Sequence, residues 1–355
     1  MAAADSRWRV LTAYAFSLLG TAAHRVVQLP NGDGRMPVMG LGTADAAASG
    51  PPFTCADAVE AALRLGYRHL DTAVFYQNHR DIAEGIARSG VPRDEIWITS
   101  KIAMHGEKIP RSGPGAATTD AFVEEMLAEL QTPYIDLVLM HFPGIEGKGL
   151  RVHSTIEIEK DVKKSFEARK SIWQALEKHV ASGRVRNIGV SNFMVKHLEE
   201  LKSFAVRMPS VNQLELHPYL PRRDVQEWCR RHGVVVSAYG SVVQDIYPDL
   251  LGEAAVKDIA RSHDATPAQV ALAWALQKDI VVLPKSSKRE RIKENAEALE
   301  LVLSEEDMHR LDALDCASTG QCRFPTRCGE QCQMGSYYWD PALVPAWQDQ
   351  VQVEL

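Results

Sequence analysis

The fold class is indicated most clearly by the segments HLDTA (residues 69–73), IWITSKI (residues 96–102) and IDLVLMHF (residues 135–142). Each is a short, nearly continuous apolar run, which is typical of a strand buried on both faces of a parallel sheet. Helical patterns, with apolar residues three and four positions apart, lie between them. This alternation makes eight strand-plus-helix units in the chain. Because eight such units close into a barrel, we predict an α/β fold, a parallel (β/α)8 barrel of the TIM type.

Several segments lie outside the regular alternation. Residues 31–34, Asn-Gly-Asp-Gly, predict the turn of a hairpin before the first barrel strand. Residues 144–164 form a polar insertion in the loop after the fourth strand, and residues 317–355 form a tail without clear periodicity. We assign residues 24–316 to the barrel. Residues 1–23 form an extension that is either an extra helix or a targeting signal.

The composition indicates a soluble, globular protein with a large core, since 45% of the residues are hydrophobic and 24% are charged. The formal net charge of −6 provides no basic field that would attract nucleic acid or anionic lipid. No apolar run is long enough to cross a bilayer. We therefore expect a protein that binds neither nucleic acid nor membrane, and we further expect it to be a monomer in the cytoplasm. A targeted location is the alternative if the N-terminal extension is a signal.

The six cysteines fall into two groups. Cys55 and Cys229 lie in helical patterns, where a cysteine is most often a small buried hydrophobic residue. The spacing of the other four matches no common zinc pattern, so we interpret them as reduced loop thiols. A tail closed by a disulfide or a metal remains the alternative. These four are Cys316, Cys322, Cys328 and Cys332.

Four polar residues are expected at strand ends, on the barrel face where chemistry takes place: Asp71, Tyr76, Lys101 and His141. A lysine ammonium beside a tyrosine favours the phenolate and lowers the tyrosine pKa towards neutrality. Asp71 could pair with Lys101, and His141 could donate a hydrogen bond to a substrate oxygen. Each residue alone has an ordinary structural explanation, but the set fits proton delivery to a carbonyl oxygen.

The reagent that attacks such a carbonyl is suggested by elimination. No residues have the spacing of a metal site, and no glycine-flanked serine or G-x-G-x-x-G motif is present. A hydride from a nicotinamide that is not held in Rossmann fashion is therefore plausible. Lys285 and Ser286 end the last strand, and Arg291 begins the next helix, an arrangement that attracts phosphate. A capped helix with ordinary surface charges is the alternative explanation.

Seven motifs resemble those of the NADPH-dependent aldo-keto reductases, in the same order along residues 26–315. They are MPVMGLGT, GYRHLDTAVFYQN, ITSK, IDLVLMHFPG, GRVRNIGVSNF, VNQLELHPYL and VVLPKSSKRERIKEN. The resemblance implies a small-molecule carbonyl substrate that is reduced to an alcohol. It also implies that Asp71, Tyr76, Lys101 and His141 are the catalytic residues, with Tyr76 as the general acid.

The resemblance further implies NADPH as the cofactor and carries its contacts over residue by residue. The matching positions are Gly42, Thr43, Asp71, Ser191, Asn192, Gln213, Tyr239, Lys285, Ser286, Arg291, Glu294 and Asn295. Of these, Ser191, Asn192 and Gln213 would contact the nicotinamide carboxamide, and Tyr239 would stack on its ring. The group around Lys285 and Arg291 would hold the 2′-phosphate, and Glu294 and Asn295 the adenine.

Two departures from the family pattern lie in the substrate pocket. Ala44 and Phe142 stand where many members have tryptophan, so we expect a pocket of different shape beside Tyr76 and His141. The sequence does not identify the substrate or the direction of the reaction in the cell. A barrel that binds NADPH in a regulatory or structural role, without turnover, is the alternative function.

Overall fold

The computed structural model describes residues 25–30, 34–44, 53–104, 109, 113–144, 162–242 and 250–315. Outside these ranges lie the N-terminal extension, residues 31–33, most of the insertion after the fourth strand, the tail, and Cys316 just before it. The expectations for these segments stay predictions.

The described residues form ten strands. The hairpin predicted from the turn signal is present, since β1 (Val26–Gln28) pairs antiparallel with β2 (Arg35–Pro37). The other eight strands form one sheet in chain order. They are β3 (Leu41–Gly42), β4 (His69–Asp71), β5 (Trp97–Ile102), β6 (Ile135–Met140), β7 (Val185–Ser191), β8 (Val211–Glu215), β9 (Val235–Tyr239) and β10 (Val281–Val282).

The first and last strands of this sheet meet and close it. The Gly40 amide donates to the Val282 carbonyl at 2.9 Å, and the Val282 amide donates to Val38 at 2.9 Å. One step further, the Gly42 amide donates to the Pro284 carbonyl at 3.1 Å. All neighbouring strands of the sheet are parallel. The predicted (β/α)8 barrel is confirmed.

Helices connect the strands as the periodicity predicted. The helices are α1 (Cys55–Arg64), α2 (His79–Ser89), α3 (Ala116–Glu129), α4 (Val162–Ala181), α5 (Val195–Lys202), α6 (Arg223–His232), α7 (Ala254–Ser262), α8 (Pro267–Leu276), α9 (Arg289–Glu297) and α10 (Glu305–Asp312). Thr54 caps α1 in a reciprocal capping box with Asp57, and Pro267 begins α8. None of the described helices is both long and apolar enough to span a membrane.

Helix α10 was not predicted from the sequence. Its start carries a clear signal, because Ser304 accepts the Asp307 amide at 3.1 Å and Asp307 accepts the Ser304 amide at 3.1 Å. Only two residues of the helix are buried, Asp307 and Leu311. The apolar periodicity was therefore too weak to indicate a helix, although the capping box Ser-x-x-Asp is visible in the sequence.

The core lies inside the barrel and between the sheet and its helices. Every residue of β4, β5 and β6 is buried, as expected for strands covered on both faces. Trp173 from α4 and Trp274 from α8 are fully buried in the outer layer. Cys55 and Cys229 are buried free thiols, as predicted, and burial raises the pKa of each to about 12.

The expectation that Asp71, Tyr76, Lys101 and His141 each end a strand is wrong in part. Asp71 ends β4, and His141 directly follows β6. Lys101 is followed by Ile102 within β5, because Ile102 still pairs with Met140. Tyr76 lies in a short 3-10 helix, Val74–Tyr76, which forms because its amide bonds to the Ala73 carbonyl at 3.0 Å.

Candidate active site

A buried ion pair joins β4 and β5 at the carboxyl end of the barrel. Lys101 Nζ donates to Asp71 Oδ1 at 2.6 Å and to the Thr72 carbonyl at 2.9 Å. Lys101 is 1% exposed and Asp71 is 4% exposed. Burial lowers the pKa of Lys101, and the Asp71 carboxylate offsets part of that effect. The predicted pairing of these two residues is present.

Three further hydrogen bonds, from two residues, hold Asp71 in place. Its second carboxylate oxygen accepts a hydrogen bond from Gln213 Nε2 at 2.7 Å. Its backbone carbonyl accepts from the Thr43 amide at 3.0 Å and from Thr43 Oγ1 at 2.9 Å. The carboxylate therefore connects Lys101 with Gln213, a residue expected at the nicotinamide.

Tyr76 is placed beside this ion pair by the turn that follows β4. Asn78, two residues after Tyr76, accepts from Thr72 Oγ1 at 2.7 Å and donates through Nδ2 to the Thr43 carbonyl at 2.9 Å. These bonds fold the turn back against β3 and β4. As a result, Lys101 Nζ lies 5.1 Å from the centroid of the Tyr76 ring, near enough for its charge to stabilise a phenolate.

His141 lies among aromatic rings. Its imidazole is 6.0 Å from the Tyr76 ring, at an interplanar angle of 81°. The Phe142 ring stacks on it at 4.5 Å and 13°, and Phe75 lies 5.8 Å away at 60°. Phe75 was not named as a site residue, although it directly precedes Tyr76 in the motif. Asp71, Tyr76, Lys101 and His141, called the quartet below, therefore lie together as predicted, and two phenylalanine rings pack beside them.

The residues expected at the nicotinamide form one hydrogen-bonded network with His141. Asn192 Nδ2 donates to the His141 carbonyl at 3.0 Å and to Ser191 Oγ at 3.2 Å. Ser191 Oγ donates to the Gln213 carbonyl at 3.0 Å, and the Tyr239 hydroxyl donates to Asn192 Oδ1 at 2.8 Å. The carboxyl ends of β7, β8 and β9 are thereby tied to the residue that follows β6.

A second group of predicted residues lines a cavity of about 250 Å³ beside β10 and α9. The predicted residues on its wall are Lys285, Ser286, Arg291, Glu294 and Asn295. Five others were not predicted: Val242, Leu251, Thr266, Pro267 and Ala268. Thr266 Oγ1 donates to Glu294 Oε1 at 2.7 Å and so orients one wall. The Thr-Pro start of α8 is a visible sequence signal for a helix N-terminus at this end of the barrel.

The end of β3 lies between the ion pair and this cavity. Gly42 pairs in parallel with Lys285, and a Cβ at Gly42 would approach the Leu283 carbonyl oxygen to 2.7 Å. Only glycine therefore fits this close approach of two backbones. Thr43 bonds to Asp71, and Ala44, half-buried, follows it. The predicted cofactor and pocket positions are thus arranged around one end of the barrel.

Comparison with known proteins decides the family. A sequence model for the Aldo/keto reductase family matches residues 38–315. The chain belongs to this family. A glyoxal reductase of Bacillus subtilis is 38% identical over 295 residues, which cover 83% of this chain and 94% of that enzyme. A methylglyoxal reductase of Escherichia coli is 35% identical over 259 residues, 73% of this chain and 86% of that enzyme.

The fold of this aldo/keto reductase is also that of a solved relative. An aldo-keto reductase from a Medee basin deep-sea metagenome library superposes with a TM-score of 0.69 at 33% identity. The superposition covers 81% of this chain and 94% of that one. The resemblance inferred from the motifs is confirmed, and the protein is an oxidoreductase of this family. The roles of individual side chains stay predictions.

Proposed function

We propose that this aldo/keto reductase reduces an aldehyde or ketone to an alcohol, with NADPH as the cofactor and Tyr76 as the proton donor. The observation that carries the proposal is the buried Lys101–Asp71 pair beside Tyr76, with the His141 ring close to the same tyrosine. NADPH, when bound, supplies the hydride that reduces the carbonyl carbon. The protein then has to orient the carbonyl and deliver one proton to its oxygen.

Each residue of the quartet has a physical role in that delivery. Tyr76 donates its hydroxyl proton to the carbonyl oxygen, where negative charge develops. The Lys101 ammonium, 5.1 Å from the ring centroid, stabilises the phenolate that remains. Burial disfavours the charged form of Lys101, and the Asp71 carboxylate at 2.6 Å opposes that effect. His141 orients the carbonyl oxygen through a hydrogen bond.

The cavity beside β10 fits the phosphate-bearing end of NADPH. Lys285 and Arg291 bring two positive charges to its wall, and the amino-terminal turn of α9 adds the positive end of a helix dipole. Arginine and lysine at such a position favour a phosphate over a ribose hydroxyl. Glu294 and Asn295 would face the adenine. This charge distribution supports NADPH over NADH.

The names of the relatives suggest the substrates to test first. Glyoxal and methylglyoxal are small, reactive aldehydes, and two reductases named for them are similar to this chain over most of its length. We propose short aldehydes as substrates. Ala44 and Phe142 would line the pocket beside Tyr76 and His141.

The test is NADPH oxidation, followed by absorbance, with glyoxal, methylglyoxal and a wider panel of aldehydes and ketones. In Tyr76→Phe we expect turnover to fall by about 10²- to 10⁴-fold, the usual contribution of a general acid. NADPH binding, measured by quenching of protein fluorescence, should be retained. Near-normal turnover in this variant would contradict the proposal. NADPH binding without oxidation by any carbonyl would favour the non-catalytic alternative.

A further inference from the structure

A buried arginine outside the predicted quartet contacts the loop that carries His141. Arg169 lies on α4 and is 1% exposed. Its Nη1 donates to the Pro143 carbonyl at 2.6 Å. Its Nε and Nη2 both lie 2.6 Å from Glu200 Oε1, on α5. One guanidinium therefore connects α4, α5 and the loop after β6.

The Pro143 carbonyl, which Arg169 binds, belongs to the same short segment as His141, residues 141–143. Pro143 is two residues beyond His141, and the Phe142 ring between them stacks on the imidazole at 4.5 Å. The carbonyl of His141 itself is held by Asn192 Nδ2 at 3.0 Å. The three-residue segment is thus fixed at its first carbonyl by Asn192, directly after β7, and at its third by Arg169.

The chemistry of the guanidinium suits this task. Arginine presents several donors in a rigid fork, so it can bind Glu200 and the Pro143 carbonyl at once, which a lysine cannot do with the same geometry. A buried ion pair contributes little net stability compared with an apolar replacement, because desolvation of both charges offsets their attraction. We therefore interpret the arrangement as a constraint on the position of the loop after β6, and not as a source of stability.

We propose that Arg169, oriented by Glu200, is a positioning residue that sets the imidazole of His141 for the carbonyl oxygen. The inference rests on the proposed carbonyl reduction. It requires that the loop move when the guanidinium is removed, and a displacement of about 1 Å at a reacting group can lower a rate by about 10²-fold.

The test compares Arg169→Met with a matched control, Arg93→Met. Arg93 also bonds to a backbone carbonyl, that of Tyr134 at 3.0 Å, and to a carboxylate, that of Asp136 at 2.7 Å. It precedes β5 and so lies at the opposite end of the barrel from Lys101. Both variants lose a partly or fully buried arginine pair, but only one loses a contact to the His141 loop.

With methylglyoxal as the probe, we expect Arg169→Met to lower kcat/KM by about 10- to 100-fold. The NADPH dissociation constant should stay within about twofold of the wild-type value, since no expected cofactor contact is removed. Arg93→Met should leave kcat/KM nearly unchanged even if it lowers the melting temperature. Equal kcat/KM in the two variants would overturn the proposal.

A double-mutant cycle separates positioning from general damage. If Arg169 acts through His141, Arg169→Met should have almost no further effect in a His141→Gln background. Multiplicative losses in the double variant would overturn the proposal. If Arg169→Met does not fold, Glu200→Gln takes its place in the cycle, with a smaller loss that should also vanish in the His141→Gln background.

The same measurements distinguish this inference from the proposed function. A wild-type protein that reduces no carbonyl overturns both. Activity that depends on Tyr76 but not on Arg169 leaves carbonyl reduction in place and rejects the positioning role.

Discussion

At the scale of single residues, Lys101 shows how a buried charge is maintained. An ammonium that is 1% exposed is costly unless a counter-charge and hydrogen-bond acceptors lie close to it. Asp71 provides the counter-charge at 2.6 Å, and the Thr72 carbonyl provides a second acceptor at 2.9 Å. Because water is excluded from around the Lys101 ammonium, its charge acts on the Tyr76 ring more strongly than a charge at the surface would.

Replacement of Lys101 by methionine tests this effect. Without the cation the Tyr76 phenolate is less stable, so we expect kcat to fall by about 10²- to 10⁴-fold. The pH at which the residual activity declines should move upwards. The measurement is a pH profile of kcat and kcat/KM. Lys278→Met is the control, since it also removes a lysine that pairs with an aspartate, Asp312 at 2.8 Å, but neither residue belongs to the candidate site. An unchanged profile in Lys101→Met would count against the assigned role.

At the scale of elements, β4 has the buried aspartate of the candidate site at one end and a buried histidine at the other. His69 lies two residues before Asp71, so both side chains are on the same face of the strand. Its Nδ1 is 3.1 Å from the Pro37 carbonyl and its Nε2 is 2.9 Å from Thr99 Oγ1. The ring thereby joins the N-terminal hairpin to β5. Burial lowers the pKa of His69 to about 4, against the nearby charge of Asp71.

This shift predicts a loss of stability in acid. The unfolded chain binds a proton at the ordinary histidine pKa of 6.5, whereas the folded protein does so only at about 4. The contribution of the neutral His69 ring to stability is therefore fully present above pH 6.5, and it is lost as the pH drops from 6.5 to 4. The decrease in the free energy of unfolding should be roughly 3 kcal/mol.

The measurement is denaturant unfolding of His69→Gln and the wild type at several pH values. The variant should be less stable at pH 7 but should depend less on pH in this window. His263→Gln, which alters a partly exposed residue paired with Asp307 at 2.9 Å, serves as the control. If the pH dependence of His69→Gln matches that of the wild type, the lowered pKa of His69 is not the cause of the loss of stability in acid.

At the scale of the whole molecule, the quartet and the cavity beside β10 are joined where the barrel closes. The seam between β3 and β10 pairs Gly42 with Lys285. Thr43, the next residue, bonds to Asp71 at 2.9 Å through its hydroxyl. If one cofactor extends from Asp71 to Lys285, the groups that hold its two ends are fixed relative to each other by the pairing of β3 with the chain after β10.

Cofactor preference gives a test at this scale. In Arg291→Met the KM for NADPH should rise by about 10- to 100-fold, the usual range for a lost charged hydrogen bond. The KM for NADH should change little, because NADH lacks the 2′-phosphate. Lys293→Met is the matched control, since Lys293 lies on the same helix and pairs with Glu297 at 3.8 Å. Equal changes for both cofactors would argue against a phosphate contact at Arg291.

The barrel could be predicted from the sequence alone, and so could the residues that lie together at its carboxyl end. Apolar runs and helical periods record local burial, so each strand and nine of the ten described helices could be predicted from neighbouring residues. The sequence motifs likewise indicated which side chains lie close together at the carboxyl end of the barrel. Helix α10 was missed because it buries only two residues. The place of Tyr76 was missed because one backbone bond after β4 turns the chain.

The contacts between these residues could be read from the three-dimensional structure alone. Gln213 reaches Asp71 across 142 positions of the chain, and Arg169 reaches Pro143 across 26 positions. Such contacts depend on the closure of the sheet and on the packing of α4 against the barrel, which no local pattern records. The physical reason is that periodicity reports which face of an element is buried, whereas the partner on that face is set by the fold as a whole.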